Sequence, residues 1–160
     1  DVQLAAIVFW TFGGLGRASW RELAIISAVT AASSVYFIFN RWNYNAIDAG
    51  EETAKGLGVP VERKRLAGML VASLVTATII SFVGVIGFVG LVCPHIVRRI
   101  LGDDHRYLVP GSLIAGGVVL LAADTVARTV LAPRVLPVAV LTAFVGAPVF
   151  IFLLVRGYRR

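Results

Sequence analysis

Three runs without a charged side chain constrain this sequence more than anything else in it: Leu66 to Val92, Leu108 to Ala123 and Val135 to Val155. A helix rises about 1.5 Å per residue, so about 20 apolar residues cross a hydrocarbon core about 30 Å thick. A soluble chain of 160 residues has no interior that could hide three such runs. Composition agrees, with 58% hydrophobic and 15% charged residues, against about 45–50% and about 25% in ordinary soluble domains. The expected fold is all-α, a polytopic transmembrane helical bundle forming one domain over residues 1–160.

Hydrophobic blocks between charged breaks give six segments, roughly 1–12, 20–39, 66–85, 87–100, 108–130 and 138–155. The first is too short to span. It lacks the charged n-region and small-residue cleavage site of a signal peptide, so it is expected to be the tail of a truncated helix. The breaks carry turn chemistry: Gly13-Gly14-Leu15-Gly16, the polar stretch Asn40 to Arg65, Gly102-Asp103-Asp104, and Pro133 to Pro137. The third and fourth segments abut at Gly84 to Gly87. Fused, they would make one helix of about 35 residues, too long for a single crossing, so a Gly-rich reversal is expected there. Gly84, Gly87 and Gly90 also form a small-residue run suited to close helix packing, as do Ser112 with Gly116 and Ala143 with Ala147.

Lys and Arg orient the spans. If the segments alternate, one side receives Arg41, Lys55, Arg63, Lys64, Arg65, Arg98, Arg99, Arg106, Arg156, Arg159 and Arg160, and the other only Arg17, Arg21, Arg128 and Arg134. The positive-inside rule then assigns 41–65, 98–106 and the C-terminus to the cytoplasm. Fusing segments three and four would move Arg98 to Arg106 across and nearly erase the bias. The net charge of +6 is therefore read as membrane-flanking charge, with no nucleic-acid partner.

The chain lacks the parts of most enzymes. There is no phosphate loop of the G-x-x-x-x-G-K-[ST] type, no H-E-x-x-H and no paired in-membrane carboxylates. Cys93 is the single cysteine and is expected to be a small buried hydrophobe. His95 and His105 lack acidic or thiol partners at ligand spacing; both are expected at the membrane interface, and no metal or other cofactor is expected. In the polar stretch, Asp48 followed by Glu51 has the spacing of a capping box with Asp as N-cap. Glu51 and Glu52 would occupy the first turn, and Gly56 or Gly58 would stop the helix. A cytoplasmic helix of about two turns follows, with an apolar side of Ala49, Ala54 and Leu57. Helices this short are marginal alone, so either the membrane domain or a partner must hold it.

Gly50-Glu-Glu-Thr-Ala-Lys-Gly-Leu-Gly58 resembles the G-E-x-x-A-x-x-L-G stretch of FecCD-type permeases, the membrane subunits of ABC importers for ferric siderophores, haem and cobalamin. Gly87-Phe-Val-Gly-Leu-Val-Cys-Pro-His-Ile-Val-Arg98 is similar to their G-F-x-G-L-x-x-P-H-x-x-R. Asp104-His-Arg106, Leu108-Val-Pro110, Ala123-Asp124-Thr-Val-Ala-Arg128, Leu136-Pro137 and Gly146-Ala-Pro148 follow in family order, with Trp10 and Gly13 to Gly16 ahead of Trp20. One departure stands out. Where the family usually has Glu before Leu-Pro and Gly two residues after the Pro, this chain has Val135 and Ala139, so no contact is carried over from that Glu.

The resemblance implies a type II ABC importer permease fold of about ten helices, of which this chain would be the C-terminal half. It implies a multi-pass protein of the cell membrane, paired with a second permease copy or a homologous half and embedded in lipid. Its partners would be cytoplasmic ABC ATPase subunits, where ATP hydrolysis resides, and an extracytoplasmic substrate-binding protein. By the same resemblance, 41–65 is the coupling loop, with Asp48, Gly50, Glu51, Glu52, Ala54, Leu57 and Gly58 meeting the ATPase. Pro94, His95 and Arg98 form a motif at the cytoplasmic end, and Arg128 faces the binding protein. Two other classes compete: an ion-coupled secondary transporter, for which only Asp124 and its neutralising neighbour Arg128 offer buried charge, and a non-transporting membrane scaffold.

Overall fold

The computed structural model describes residues 13–130 and 137–157. The expected first segment with Trp10, together with Arg134, Val135, Leu136, Arg159 and Arg160, lies outside the described residues, as do the side chains of Arg17 and Arg156. Seven α-helices follow a short 3₁₀ turn at Leu15–Arg17: α1 (Trp20–Phe39), α2 (Arg41–Asp48), α3 (Glu51–Gly56), α4 (Val61–Val83), α5 (Val89–Leu101), α6 (His105–Val130) and α7 (Val138–Gly157). Among the described residues there is no strand. The all-helical expectation holds.

Three of these helices, α1, α4 and α6, are long and apolar enough to cross a membrane, and α7 contains a shorter apolar stretch, Val138–Phe152. Their apolar surface faces outward: none of the α1 window and 11% of the α4 window is buried. That is the arrangement expected where lipid or further protein, rather than water, is the surrounding medium. Several hydroxyls inside the spans are satisfied by their own helices: Ser33 donates to the Val29 carbonyl at 2.8 Å, Thr78 to Leu74 at 2.8 Å and Thr125 to Leu121 at 2.7 Å.

α1 begins at a capping box. The Ser19 hydroxyl accepts the Glu22 N–H at 3.3 Å, and the Glu22 carboxylate accepts the Ser19 N–H at 2.7 Å. α4 packs along α1, and α6 touches α1, α2, α5 and α7, with its largest interface on α5. Gly111 makes that interface possible, since a β-carbon there would stand 2.8 Å from the Val97 side chain.

The reversal between segments three and four is present. At one end of the bundle the Gly14 N–H donates to the Val83 carbonyl at 2.9 Å. At the other, the Tyr44 hydroxyl donates to the Lys64 carbonyl at 3.1 Å, and Arg98 Nη2 lies 3.9 Å from Asp48 Oδ2. α4 therefore runs away from the Asp48 end and α5 returns to it, as fusion would forbid. The fourth segment, expected at 87–100, is short as that range implies: α5 has 13 residues, about 20 Å at the helical rise, less than a full crossing. Residues 84–88 lead into it without helical structure, tucked against 13–14. Irregular backbone is tolerated at membrane depth where protein covers it, and Gly84 is buried.

Within the glycine run Gly84 caps α4 at φ 82°, and among the described residues nothing lies within 4 Å of a β-carbon placed on Gly87 or Gly90. Close approaches fall instead at Gly68 against Tyr44, Gly111 against Val97, and Gly146 against Phe88.

Candidate functional site

The polar stretch 41–65 folds into two short helices where one was expected. α2 takes up Arg41–Asp48, so Asp48 ends a helix and does not cap the next. The N-cap of α3 is Gly50, at φ 131° and without a side-chain cap; its positive φ turns the chain sharply between the two helices, a conformation Asp48 could not supply from two residues upstream. Glu51 and Glu52 do stand in the first turn of α3, and Glu51 lies 3.5 Å from Lys55 and 3.6 Å from Arg65. Such exposed pairs contribute at most about 1 kcal/mol each.

The stop is Gly58. With φ at 80°, it sends the Val59 N–H back to the Ala54 carbonyl at 3.0 Å and its own N–H to Lys55 at 2.9 Å. This is the Schellman arrangement that a left-handed glycine permits. Ala54 is fully buried against the bundle, while Leu57 is 71% exposed. The membrane domain itself thus holds this helix through Ala54, and Ala49, Glu51, Glu52, Thr53, Lys55 and Leu57 are among the residues left exposed around it.

Beneath α2 lies a polar cluster that joins it to the α5–α6 turn. The Asn45 amide is central. Its Oδ1 accepts the His105 backbone N–H at 2.9 Å and lies 2.8 Å from His105 Nδ1; its Nδ2 donates to Asp104 Oδ1 at 2.9 Å. A flipped amide would set NH₂ against N–H and oxygen against carboxylate, so the partners fix the orientation, and Nδ1 carries the proton. Asp104 also accepts the Arg106 N–H at 3.0 Å. That backbone bond, the Asn45 amide and the nearby Arg106 and His105 charges hold the Asp104 carboxyl below its ordinary range.

Tyr44 stacks on His105 with ring centroids 5.9 Å apart, and Arg106 sits over the Trp42 ring at 3.9 Å. Burial, aided by Tyr36, pushes the Tyr44 phenol up. Arg98 reaches Asp103 at 3.2 Å as well as Asp48. A polar cavity of about 550 Å³ opens among Asn45, Asp48, Arg98, Asp103 and Asp104.

Of the residues expected at this end, Asp48 and Arg98 come together. Pro94 lies within α5, and His95 is exposed on the same helix, apart from the cluster. His105 is turned inward to Asn45 and Tyr44 rather than out to the interface. Cys93 is 2% exposed, and among the described residues no three His, Cys, Asp or Glu gather as a metal site. Arg128 stands at the opposite end, its Nε 2.8 Å from Asp124 Oδ2 with half the side chain exposed. Sequence reasoning missed Asn45, Tyr44 and Asp104 as site residues; of these only Asp104 carried a signal, in the Asp104-His-Arg106 motif.

The model of the FecCD transport family matches residues 1–156. This chain belongs to the FecCD transport family. A Methanocaldococcus jannaschii protein named as an ABC transporter permease is 60% identical over 160 residues, all of this chain and 46% of that protein. The hemin transport system permease protein of Yersinia pestis is 38% identical over 156 residues, 98% of this chain and 47% of its own length. The cobalamin import system permease protein of Halobacterium salinarum is 44% identical over 153 residues, 95% and 41%. An ABC transporter solved in an inward-facing conformation and described as metal-chelate type superposes with a TM-score of 0.90 at 30% identity, over 98% of this chain and 50% of that one. The FecCD chain thus spans about half the length of the relatives it matches. They are transport permeases, not enzymes.

Proposed function

We propose that this FecCD chain is the C-terminal half of the membrane permease of an ABC importer for an iron chelate such as a siderophore, for haem or for cobalamin. The α2–α3 segment, with Gly50, Glu51, Glu52, Leu57 and Gly58, docks on a cytoplasmic ATPase. The C-terminus lies on that same side of the cell membrane, and an extracytoplasmic binding protein delivers substrate at the Arg128 end. A second permease copy completes the pathway.

The observation that carries this reading is the build of α3. A two-turn helix is anchored to its own bundle by buried Ala54 and the Gly58 stop, yet ends in an exposed Leu57. Leucine left outside on a segment that the chain has taken care to immobilise is suited to a partner. It stands at the end where Arg41, Lys55, Arg63, Lys64, Arg65, Arg98, Arg99 and Arg106 gather, the cytoplasmic side by the positive-inside rule. Relatives named for hemin and cobalamin transport support the substrate class.

The test is uptake by proteoliposomes holding the full-length permease, its ATPase and its binding protein. Cobalamin, haemin or a ferric hydroxamate should accumulate with ATP and not with a non-hydrolysable analogue. Accumulation driven by an ion gradient without ATP would overturn the reading in favour of a secondary transporter.

A further inference from the structure

The first turn of α6 is completed from outside. The leading N–H groups of a helix have no partner within it. Here Asp104, just before α6, serves the Arg106 N–H at 3.0 Å, while the His105 N–H is served by Asn45 of α2 at 2.9 Å. Pro110 sits in the next turn of α6 and has no N–H for the Arg106 carbonyl. The first turn is therefore tied to the rest of its helix by one bond fewer than usual, and depends the more on what α2 supplies. Asn45 supplies it with both ends of its amide, since Nδ2 holds the Asp104 carboxylate as Oδ1 holds His105. The Tyr44–His105 stack and the Trp42–Arg106 contact flank this bond on the same two helices.

We infer that Asn45 is a positioning residue, the joint that makes α2 and α6 move as one body during transport. The inference rests on the proposed docking of the α2–α3 segment to the ATPase and says where that motion goes. α3 packs on α2 and α4, so a push on α3 reaches α2. From there the amide passes it to the start of a 26-residue helix that ends at Asp124 and Arg128 on the opposite face. Displacement on the cytoplasmic side is in this way delivered to the far side through α6.

The experiment uses the full-length transporter in proteoliposomes, in a Cys93→Ala background, with labelled cobalamin, haemin or ferric hydroxamate as the probe. Asn45→Ala should lower uptake per ATP hydrolysed at least fivefold and leave ATP hydrolysis within twofold of the parent. A purely structural role would lower both together. Trp42→Cys with Arg106→Cys, joined by a short bifunctional thiol reagent, replaces the joint covalently. In the Asn45→Ala background the tie should restore at least half of the lost coupling, and with Asn45 intact it should leave turnover unchanged.

Arrest of turnover by the tie would mean that α2 and α6 must separate, and would overturn the inference. So would an Asn45→Ala transporter with unchanged uptake per ATP. Failure of the docking reading has its own signature: Leu57→Asp would leave ATPase capture untouched, and the joint would then lose its purpose as well.

Discussion

Gly146 of α7 lies directly against the β-carbon and ring of Phe88, which holds a left-handed backbone at φ 67° just before α5. Among the described residues Phe88 is the single non-glycine with positive φ, a conformation that costs of order 1–2 kcal/mol. It persists because the ring is seated on α7, beside an apolar cavity of about 370 Å³ between α5, α6 and α7. Two sequence motifs, Gly87-Phe88 and Gly146-Ala-Pro148, are thus two halves of one contact.

A β-carbon at position 146 would overlap Phe88, so Gly146→Ala should destabilise the bundle by about 1–3 kcal/mol, the usual range for overpacking. Thermal unfolding of the detergent-solubilised protein should shift down accordingly. Phe88→Gly removes both the obstacle and the strained φ. The two changes should therefore be non-additive, Gly146→Ala costing less in the Phe88→Gly background. Strict additivity would mean that the two residues do not meet.

The uncharged runs made the spans legible because lipid leaves a helix no choice but to satisfy its backbone internally. The ends of the bundle were not legible in the same way. Arg41 to Asn45 reads as a polar loop, and α2 forms there because Tyr44 and Asn45 find partners on α4 and α6. Those partners are 20 to 60 residues away, beyond the reach of any local pattern. Ser19-x-x-Glu22 and Asp48-x-x-Glu51 have the same spacing. One is a capping box and the other is not, because Gly50 breaks the chain between Asp48 and Glu51 and Arg98 lies beside the carboxylate.

Asp104 gives the polar cluster beneath α2 a pH dependence of known sign. Its carboxyl is held below its ordinary value of 3.8 by the Arg106 N–H and the Asn45 amide. The folded state therefore binds this proton less readily than the unfolded one. The resulting stabilisation is complete above that ordinary value and drains away as pH falls through it toward the lowered one. Asp104→Asn should flatten this part of the profile, measured as the thermal midpoint from pH 7 down to pH 3. An unchanged slope would show that the bonds to Asp104 do not matter to folding.

Ala54 is buried within α3 and Leu57, its C-cap, is exposed, so the two should behave differently. Leu57→Asp alters only the exposed side, so the permease should insert and melt as before while retention of the ATPase on purification falls at least tenfold. Ala54→Pro removes the bond from the Ala54 N–H to Gly50, 2.9 Å in the parent, and costs about 3 kcal/mol locally. It should lower both stability and ATPase retention. Full ATPase retention in Leu57→Asp would remove α3 as the docking element.

The sidedness is open to direct labelling, since buried Cys93 is shielded and can in any case be replaced by Ala. Lys55→Cys, half exposed on α3, should react with a membrane-impermeant thiol reagent only after cells are opened. Trp20→Cys, 87% exposed in the parent at the start of α1, should react in intact cells. The reverse pattern would invert the topology.

Arg128 is the residue on which the proposed recognition of a binding protein should turn. It lies in the last turn of α6, on the side where basic residues are scarce. One nitrogen is engaged by Asp124 at 2.8 Å, yet half of the side chain remains exposed. An arginine has five donors and can satisfy two carboxylates at once, so the internal pair leaves capacity for an acidic group on a binding protein. The pair alone, partly exposed and spaced i,i+4, contributes about 0.3–0.5 kcal/mol, too little for its loss to unfold the bundle. A rim charge acts mainly on association rate. Arg128→Glu should therefore slow capture of the binding protein by the assembled transporter at least fivefold at low ionic strength, with the defect shrinking as salt rises toward a Debye length of about 8 Å. Basal ATP hydrolysis should stay within twofold, because the proposed ATPase-docking element α3 is at the other end of the molecule. Stopped-flow association at two salt concentrations reads both features. A transporter that captures the binding protein at the parent rate while melting several degrees lower would reduce Arg128 to the structural partner of Asp124.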